Sequence, residues 1–301
     1  MHKRIFAFLG VLFSFHLVHS KDLIQPQAIY GDDGRHEVYE GAAIWQKVSQ
    51  SVGGFLFAKS YTELSDGGIQ IHPETLKQKY ELCDGESFEN QPLGPDCSGF
   101  LVGGDLVITA GHCLRGKSCP RGVWIFNYEK EQLGRVRNRY TAAEVYRCSE
   151  VLSASKGATQ DHGLLRLDRA PGLPFLKLSM KLPKRGDSLT VVGHPSGLPK
   201  KIGTGGAVRA IAKNGAYFTT NLDTFGGNSG SPVISESTGL VHGILVRGDE
   251  DYVPTEEGCS VAKRCEAEAC EGEDATSTVF LAEKLSSLSP VSFASTRAQN
   301  R

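Results

Sequence analysis

The sequence lacks a long apolar pattern of helical period, and it contains only two methionines. Instead, 35 glycines punctuate short apolar runs along the chain. This pattern is typical of short strands joined by tight turns, so it excludes a mainly helical protein and favours an all-β class. With 301 residues, 40% of them apolar, the chain is long enough for one large or two ordinary domains.

An excess of basic residues is also absent. The chain has 33 lysines and arginines against 34 aspartates and glutamates, without a basic cluster. Nucleic acid is therefore excluded as an expected partner. Extended apolar interface patterns are lacking too, and we expect a monomer.

Only the N-terminus carries a long apolar run. In MHKRIFAFLGVLFSFHLVHS, Lys3 and Arg4 precede an apolar run at 5–18, and Val18 and Ser20 are the small residues that flank a cleavage site. The run is shorter than the roughly 18 to 20 residues of a membrane span, and the pattern is typical of a signal peptide. We therefore expect cleavage of residues 1–20, no stable membrane span, and a secreted or periplasmic protein.

The eight cysteines all follow this leader, and their even number favours disulfides in an oxidising compartment. The alternative for Cys259, Cys265 and Cys270 is a metal site. These three lack the CxxC pairs typical of structural zinc, so we expect no metal and no organic cofactor.

Short strands and turns recur in two units of similar size. The segment CSGFLVGGDLVITAGHC predicts a buried hairpin, and the proline-bearing connector 173–187 separates the two units. We divide the chain into a leader at 1–20, an N-terminal segment at 21–80 that includes part of a propeptide as one alternative, a first unit at 81–175, a second unit at 176–290 and a tail at 291–301.

Three motifs carry the residues for nucleophilic catalysis. A serine hydroxyl needs a base, a group that orients the base, and donors for the oxyanion. His112 lies in TAGHC, Asp161 in QDHGLLRLD, and Ser229 in GGNSGSP. The N–H groups of Gly227 and Ser229 are candidates for the oxyanion hole.

These motifs, in the order His, Asp, Ser, resemble those of the trypsin-like (chymotrypsin-fold) serine proteases. The forms GNSGSPV and DDGRHEV are most similar to the bacterial glutamyl endopeptidase (V8-like) branch. The resemblance implies two six-stranded antiparallel β-barrels with the active site between them. It also implies a serine endopeptidase that acts on proteins or peptides through an acyl-enzyme, with His112 as base, Asp161 as its orienting group and Ser229 as nucleophile.

The resemblance leaves the substrate preference open. Asp223, six positions before the serine, would form the pocket floor and favour Arg or Lys, with Thr224 and Phe225 as walls. Leu245 stands where glutamyl endopeptidases carry a histidine, while Arg247 could supply a cation for acidic substrates. We favour cleavage after Arg or Lys, with cleavage after Glu or Asp as the alternative.

Two further features follow from the motifs. Asn228 replaces the aspartate that binds the new N-terminal ammonium in animal relatives, so that activation switch is not expected. Cys97 is expected to pair with Cys113, and Cys119 with Cys148, while the remaining four cysteines can pair in three ways. The competing functions are a silent secreted binding protein on the same fold and an esterase-like hydrolase.

Overall fold

The computed structural model describes residues 28–281, apart from positions 115, 117, 158, 249, 267–269 and 280. The predicted leader at 1–20 and tail at 291–301 lie outside the described residues. Within these residues, no helix is long and apolar enough to cross a membrane. The strands are β1 Ile29–Tyr30, β2 Arg35–Glu37, β3 Val52–Phe57, β4 Tyr61–Glu63, β5 Ile69–Ile71, β6 Cys97–Leu101, β7 Leu106–Thr109, β8 Gly122–Ile125, β9 Arg139–Tyr140, β10 Cys148–Lys156, β11 Asp161–Leu167, β12 Ser188–Gly193, β13 Lys201–Ile211, β14 Tyr217–Thr220, β15 Pro232–Ser235, β16 Val241–Arg247, β17 Tyr252–Pro254, β18 Ser260–Ala262, β19 Arg264–Cys265 and β20 Glu273–Ser277. The α-helices are α1 Ala43–Ser49, α2 Leu76–Tyr80 and α3 Gly111–Leu114, and single 3₁₀ turns cover Val38–Glu40, Ala58–Ser60, Ala142–Glu144 and Pro195–Gly197.

The first barrel is an antiparallel sheet of six strands in the order β10-β11-β7-β6-β3-β8. Its two ends meet at a bridge between Trp124 of β8 and Tyr146, which precedes β10. The N–H of each of these residues donates to the carbonyl of the other, at 2.8 and 3.0 Å. The sheet therefore curls until its edge strands meet.

The second barrel contains six antiparallel strands in the order β12-β15-β16-β20-β14-β13, and β12 also pairs with β13, which closes the ring. Strand β2 adds to the outer edge of β13. The predicted all-β, chymotrypsin-like class is confirmed, with one closed six-stranded barrel and a second sheet curled into a half-barrel.

One hydrophobic cluster extends through both barrels. It includes Phe100 and Ile108 of the first barrel together with Ile234 and Ile244 of the second, all buried. Full burial of such a side chain contributes roughly 1.5–3 kcal/mol. The shared cluster fixes the barrels against each other, which is what a site at their junction requires.

The prediction that the first barrel begins at residue 81 is wrong. Strand β3, at residues 52–57, lies between β6 and β8 in the first sheet. Its sequence VGGFLF is short, and both of its partners lie far along the chain, so local patterning did not reveal the pairing. The boundary expected near residue 175 falls in the connector between β11 and β12.

The structure contains four disulfides. Cys97 pairs with Cys113 and Cys119 with Cys148, as expected, while Cys83 pairs with Cys259 and Cys265 with Cys270. The alternative of a metal site at Cys259, Cys265 and Cys270 is wrong, because all three sulfurs are in disulfides and none is a free thiolate.

Candidate active site

His112 lies in the one-turn helix α3, directly after strand β7. Gly111 lets this helix approach β10 closely, since a Cβ at this position would lie 1.9 Å from the carbonyl oxygen of Ser155. The disulfide from Cys113 ties the same turn to Cys97 in β6. The position of the imidazole is therefore fixed by backbone packing and by a covalent link.

Asp161 is the first residue of β11, and its carboxylate faces His112. Its Oδ2 accepts a hydrogen bond from Nδ1 of His112 at 2.8 Å. Its Oδ1 accepts from the backbone N–H groups of Gly111 at 2.6 Å and His112 at 3.1 Å. Because a carboxylate only accepts, the proton of the neutral ring lies on Nδ1 and Nε2 can accept another.

Asp161 is also held from the second barrel. The Thr276 hydroxyl in β20 donates to the carbonyl oxygen of Asp161 at 2.9 Å. This bond crosses the junction of the barrels, so the His–Asp pair is positioned by both of them.

The loop that carries Ser229 lies against strand β6 of the first barrel. The N–H of Ser98 donates to the carbonyl of Ser229 at 2.9 Å, and the Ser98 hydroxyl donates to the carbonyl of Gly227 at 2.8 Å. Gly230 has a φ of +94°, and a Cβ there would lie 2.1 Å from the Ser98 carbonyl oxygen. Only glycine fits this approach, which brings the serine loop beside the strand pair that leads to His112.

Two backbone N–H groups of the loop are available to a ligand. Among the described residues, the N–H groups of Gly227 and Ser229 donate to no acceptor. Gly227 has a φ of +96°, a conformation that favours glycine. Two free donors beside a serine have the chemistry required to stabilise a developing oxyanion.

The structure places Asp223 differently from a simple pocket floor. Its Oδ1 and Oδ2 accept hydrogen bonds from the backbone N–H groups of Tyr30 and Gly34, both at 2.7 Å. Burial raises the pKa of Asp223 to about 6. The expectation of an open floor carboxylate is thus corrected, because the N-terminal segment covers both oxygens.

Glu273, at the start of β20, is a carboxylate that sequence reasoning missed. It is fully buried, and it accepts hydrogen bonds from the hydroxyls of Thr224 and Tyr30, the latter at 3.2 Å. A Cβ on Gly248, the residue directly after β16, would lie 2.0 Å from Oε2 of Glu273. The carboxylate therefore lies against the backbone at the end of β16. Burial raises the pKa of Glu273 well above its ordinary value.

Arg247, which the sequence offers as a cation for acidic substrates, forms an ion pair with Asp274 in β20. Its Nε donates to Oδ2 of Asp274 at 2.9 Å, and its guanidinium carbon lies 5.5 Å from the centroid of the Tyr217 ring.

The two remaining predicted pocket residues are core residues. Leu245 is buried in the apolar cluster of the second barrel. Phe225 is also buried, with the guanidinium carbon of Arg35 4.1 Å from its ring centroid. Arg35 in turn forms a salt bridge with Asp33, so its charge is already paired.

Two β-barrels with a His–Asp pair and a serine loop at their junction define the chymotrypsin-like serine peptidase class. Residues 97–244 match the family model described as the trypsin-like peptidase domain. Over these residues the chain is therefore similar to the trypsin-like peptidase domain. No curated protein matched the chain.

Two solved structures are similar at low identity. A serine endoprotease from Yersinia pestis is 14% identical with a TM-score of 0.48, over 81% of this chain and 65% of that one. An inactive mutant form of Rv3671c from M. tuberculosis H37Rv is 14% identical with a TM-score of 0.46, over 87% of this chain and 96% of that one. The chain therefore spans slightly less than two thirds of the Yersinia protein.

Proposed function

We propose that this protein is a secreted serine endopeptidase that cleaves peptide bonds after Arg or Lys through an acyl-enzyme. The observation that carries the proposal is the bond from His112 Nδ1 to Asp161 at 2.8 Å, beside a serine loop with two free N–H groups. The signal-peptide pattern supports secretion, as do the four disulfides, which are typical of oxidising compartments.

The chemistry begins with proton transfer from Ser229 to His112. As Oγ of Ser229 attacks the substrate carbonyl carbon, Nε2 of His112 takes the hydroxyl proton, and Asp161 stabilises the imidazolium. The N–H groups of Gly227 and Ser229 donate to the tetrahedral oxyanion. His112 then gives the proton to the leaving amine, and water hydrolyses the acyl ester by the same steps.

Glu273 carries the proposed preference for basic residues. Its carboxylate is buried and accepts hydrogen bonds from the hydroxyls of Thr224 and Tyr30. Thr224 is one of the residues that the resemblance assigns to the pocket, so we place this carboxylate at the proposed pocket. A guanidinium or ammonium is the substrate group that a carboxylate there favours, because hydrogen bonds between ionised groups are about twice as strong as neutral ones. Asp223, which precedes Thr224 in the chain, supplies a second carboxylate. The pairing of Arg247 with Asp274 removes the cation that cleavage after Glu or Asp would use.

The N-terminal segment is part of the proposed mature enzyme. Strand β1 pairs with β19, strand β2 pairs with β13, and the N–H groups of Tyr30 and Gly34 hold Asp223. A cut within residues 29–37 would remove some of these contacts. We therefore place the end of any propeptide before Ile29.

The test is cleavage of a diverse peptide library by the purified protein, with products identified by mass spectrometry and Ser229→Ala run in parallel. We expect cuts after Arg and Lys that disappear in the variant while its thermal unfolding is unchanged. Cuts after Glu or Asp would overturn the preference. Absence of Ser229-dependent cuts would favour a silent binding protein, and ester cleavage alone would favour an esterase-like hydrolase.

A further inference from the structure

The peptide group that supplies the Gly227 N–H is held from the opposite side. The carbonyl of Gly226 accepts a hydrogen bond from the backbone N–H of Ser196. In a trans peptide this carbonyl and the N–H of Gly227 point in opposite directions. A contact that fixes the Gly226 carbonyl therefore also fixes the direction of the Gly227 N–H.

Asp251 holds the other side of Gly226. Its Oδ2 accepts a hydrogen bond from the Gly226 N–H at 3.0 Å. Gly226 thus has both its N–H and its carbonyl bound to groups outside the serine loop, and neither group is Ser229, His112 or Asp161.

Tyr252, the residue after Asp251, supports the contact from Ser196 to the Gly226 carbonyl. Its hydroxyl lies 2.8 Å from the hydroxyl of Ser196. Ser196 has a φ of +54°, an uncommon backbone conformation for a residue other than glycine, and it needs surrounding contacts to persist. The Tyr252 ring also packs on Phe225, with a centroid distance of 5.2 Å.

Both residues belong to a hairpin that the sequence presents only as a polar surface loop. Strands β17 and β18 pair over Tyr252–Pro254 and Ser260–Ala262. The disulfide from Cys259 to Cys83 ties the hairpin to a distant part of the chain. At its base, the N–H of Lys263 donates to the carbonyl of Asp251 at 3.0 Å. The disulfide therefore anchors the hairpin near its tip, and the Lys263 bond closes its base.

We infer that Asp251 and Tyr252 are positioning residues for the reaction, and that the hairpin 251–262 holds the Gly227 N–H in the orientation that receives the oxyanion. The inference rests on the proposed function, and it makes these two residues determinants of the rate of peptide hydrolysis. Asp251 contacts Gly226 of the serine loop and Tyr252 contacts Ser196, and neither residue is proposed to contact the substrate.

The kinetic test compares Asp251→Ala, Asp251→Asn and Tyr252→Phe with Glu257→Gln, which removes an exposed carboxylate at the tip of the same hairpin. Loss of one oxyanion donor costs about 100- to 1000-fold in kcat, and misorientation costs less. We expect Asp251→Ala to lower kcat about 10-fold with KM nearly unchanged, Tyr252→Phe to have a smaller effect in the same direction, and Glu257→Gln to match the wild type. Asp251→Asn should recover most of the rate, because its amide oxygen can still accept from Gly226.

A second measurement does not depend on turnover. Amide hydrogen exchange of the peptide containing residues 225–229 should be faster in Asp251→Ala than in the wild type and unchanged in Glu257→Gln. An unchanged kcat or exchange rate in Asp251→Ala would overturn the inference, as would an equal kcat loss in Asp251→Asn and Asp251→Ala. A wild-type protein without Ser229-dependent cleavage would refute the proposed function, whereas the exchange rates would still decide whether the hairpin orders this loop.

Discussion

Replacing Glu273 with glutamine should remove the preference for basic substrates. The carboxylate is fully buried and accepts hydrogen bonds from the hydroxyls of Thr224 and Tyr30. A hydrogen bond to a charged group contributes about 1.5–3 kcal/mol. At 1.4 kcal/mol per factor of ten, Glu273→Gln should lower kcat/KM for an Arg substrate about 10- to 100-fold.

The assay compares kcat/KM for peptides that differ only at the residue before the scissile bond, with Arg, citrulline or Leu there. Citrulline retains the shape of Arg without its charge, so its kcat/KM should hardly change in Glu273→Gln. Asp274→Asn is the matched control, because Asp274 is the next carboxylate in the same strand and binds Arg247 instead.

The neutral glutamine should also be tolerated by the fold. Glutamine has nearly the shape of glutamate, and its amide oxygen can still accept hydrogen bonds from the two hydroxyls. We expect the midpoint of thermal unfolding to stay within a few degrees of the wild type. Equal losses for Arg and citrulline peptides, or an unchanged preference for Arg, would refute this account of specificity.

Three further predictions follow from the same contacts. Gly227→Ala should lower kcat at least about 100-fold in the peptide assay, because φ is +96° and a Cβ would lie 2.4 Å from the carbonyl oxygen of His194. The ratio of kcat/KM for Arg over citrulline peptides should rise as pH increases through about 6, because the raised pKa of Asp223 leaves that carboxyl neutral below this pH and charged above it; a flat ratio would contradict this. Replacing Cys83 and Cys259 together with serine should lower the free energy of unfolding by up to about 5 kcal/mol, since the bridge links residues 176 apart; denaturant titration measures the loss, and an unchanged midpoint would be inconsistent with it.

The site motifs were predictable because each is a short contiguous segment. Glycines on both sides of Ser229, the TAGHC turn and the aspartate before a strand carry their geometry within a few residues of sequence. The disulfide from Cys97 to Cys113 was predictable for the same reason, because its cysteines flank one hairpin.

The errors concern contacts between distant parts of the chain. Asp223 binds Tyr30, which lies 193 residues earlier, and strand β3 pairs with partners on both sides that are more than 40 residues away. Nothing local in EDATS distinguishes Glu273, which is buried, from Asp274, which binds Arg247. The register of strand β20 decides which of its side chains face the pocket, and the composition of the segment does not specify that register.

The central claim, covalent catalysis by Ser229, is tested most directly by trapping the acyl-enzyme. The purified protein is mixed with a slowly deacylating Arg ester, quenched in acid, digested and mapped by mass spectrometry. The account predicts an acyl mass increase on the peptide that contains Ser229, absent in Ser229→Ala and greatly reduced in His112→Ala. An adduct on another residue, or cleavage that persists in Ser229→Ala, would contradict it.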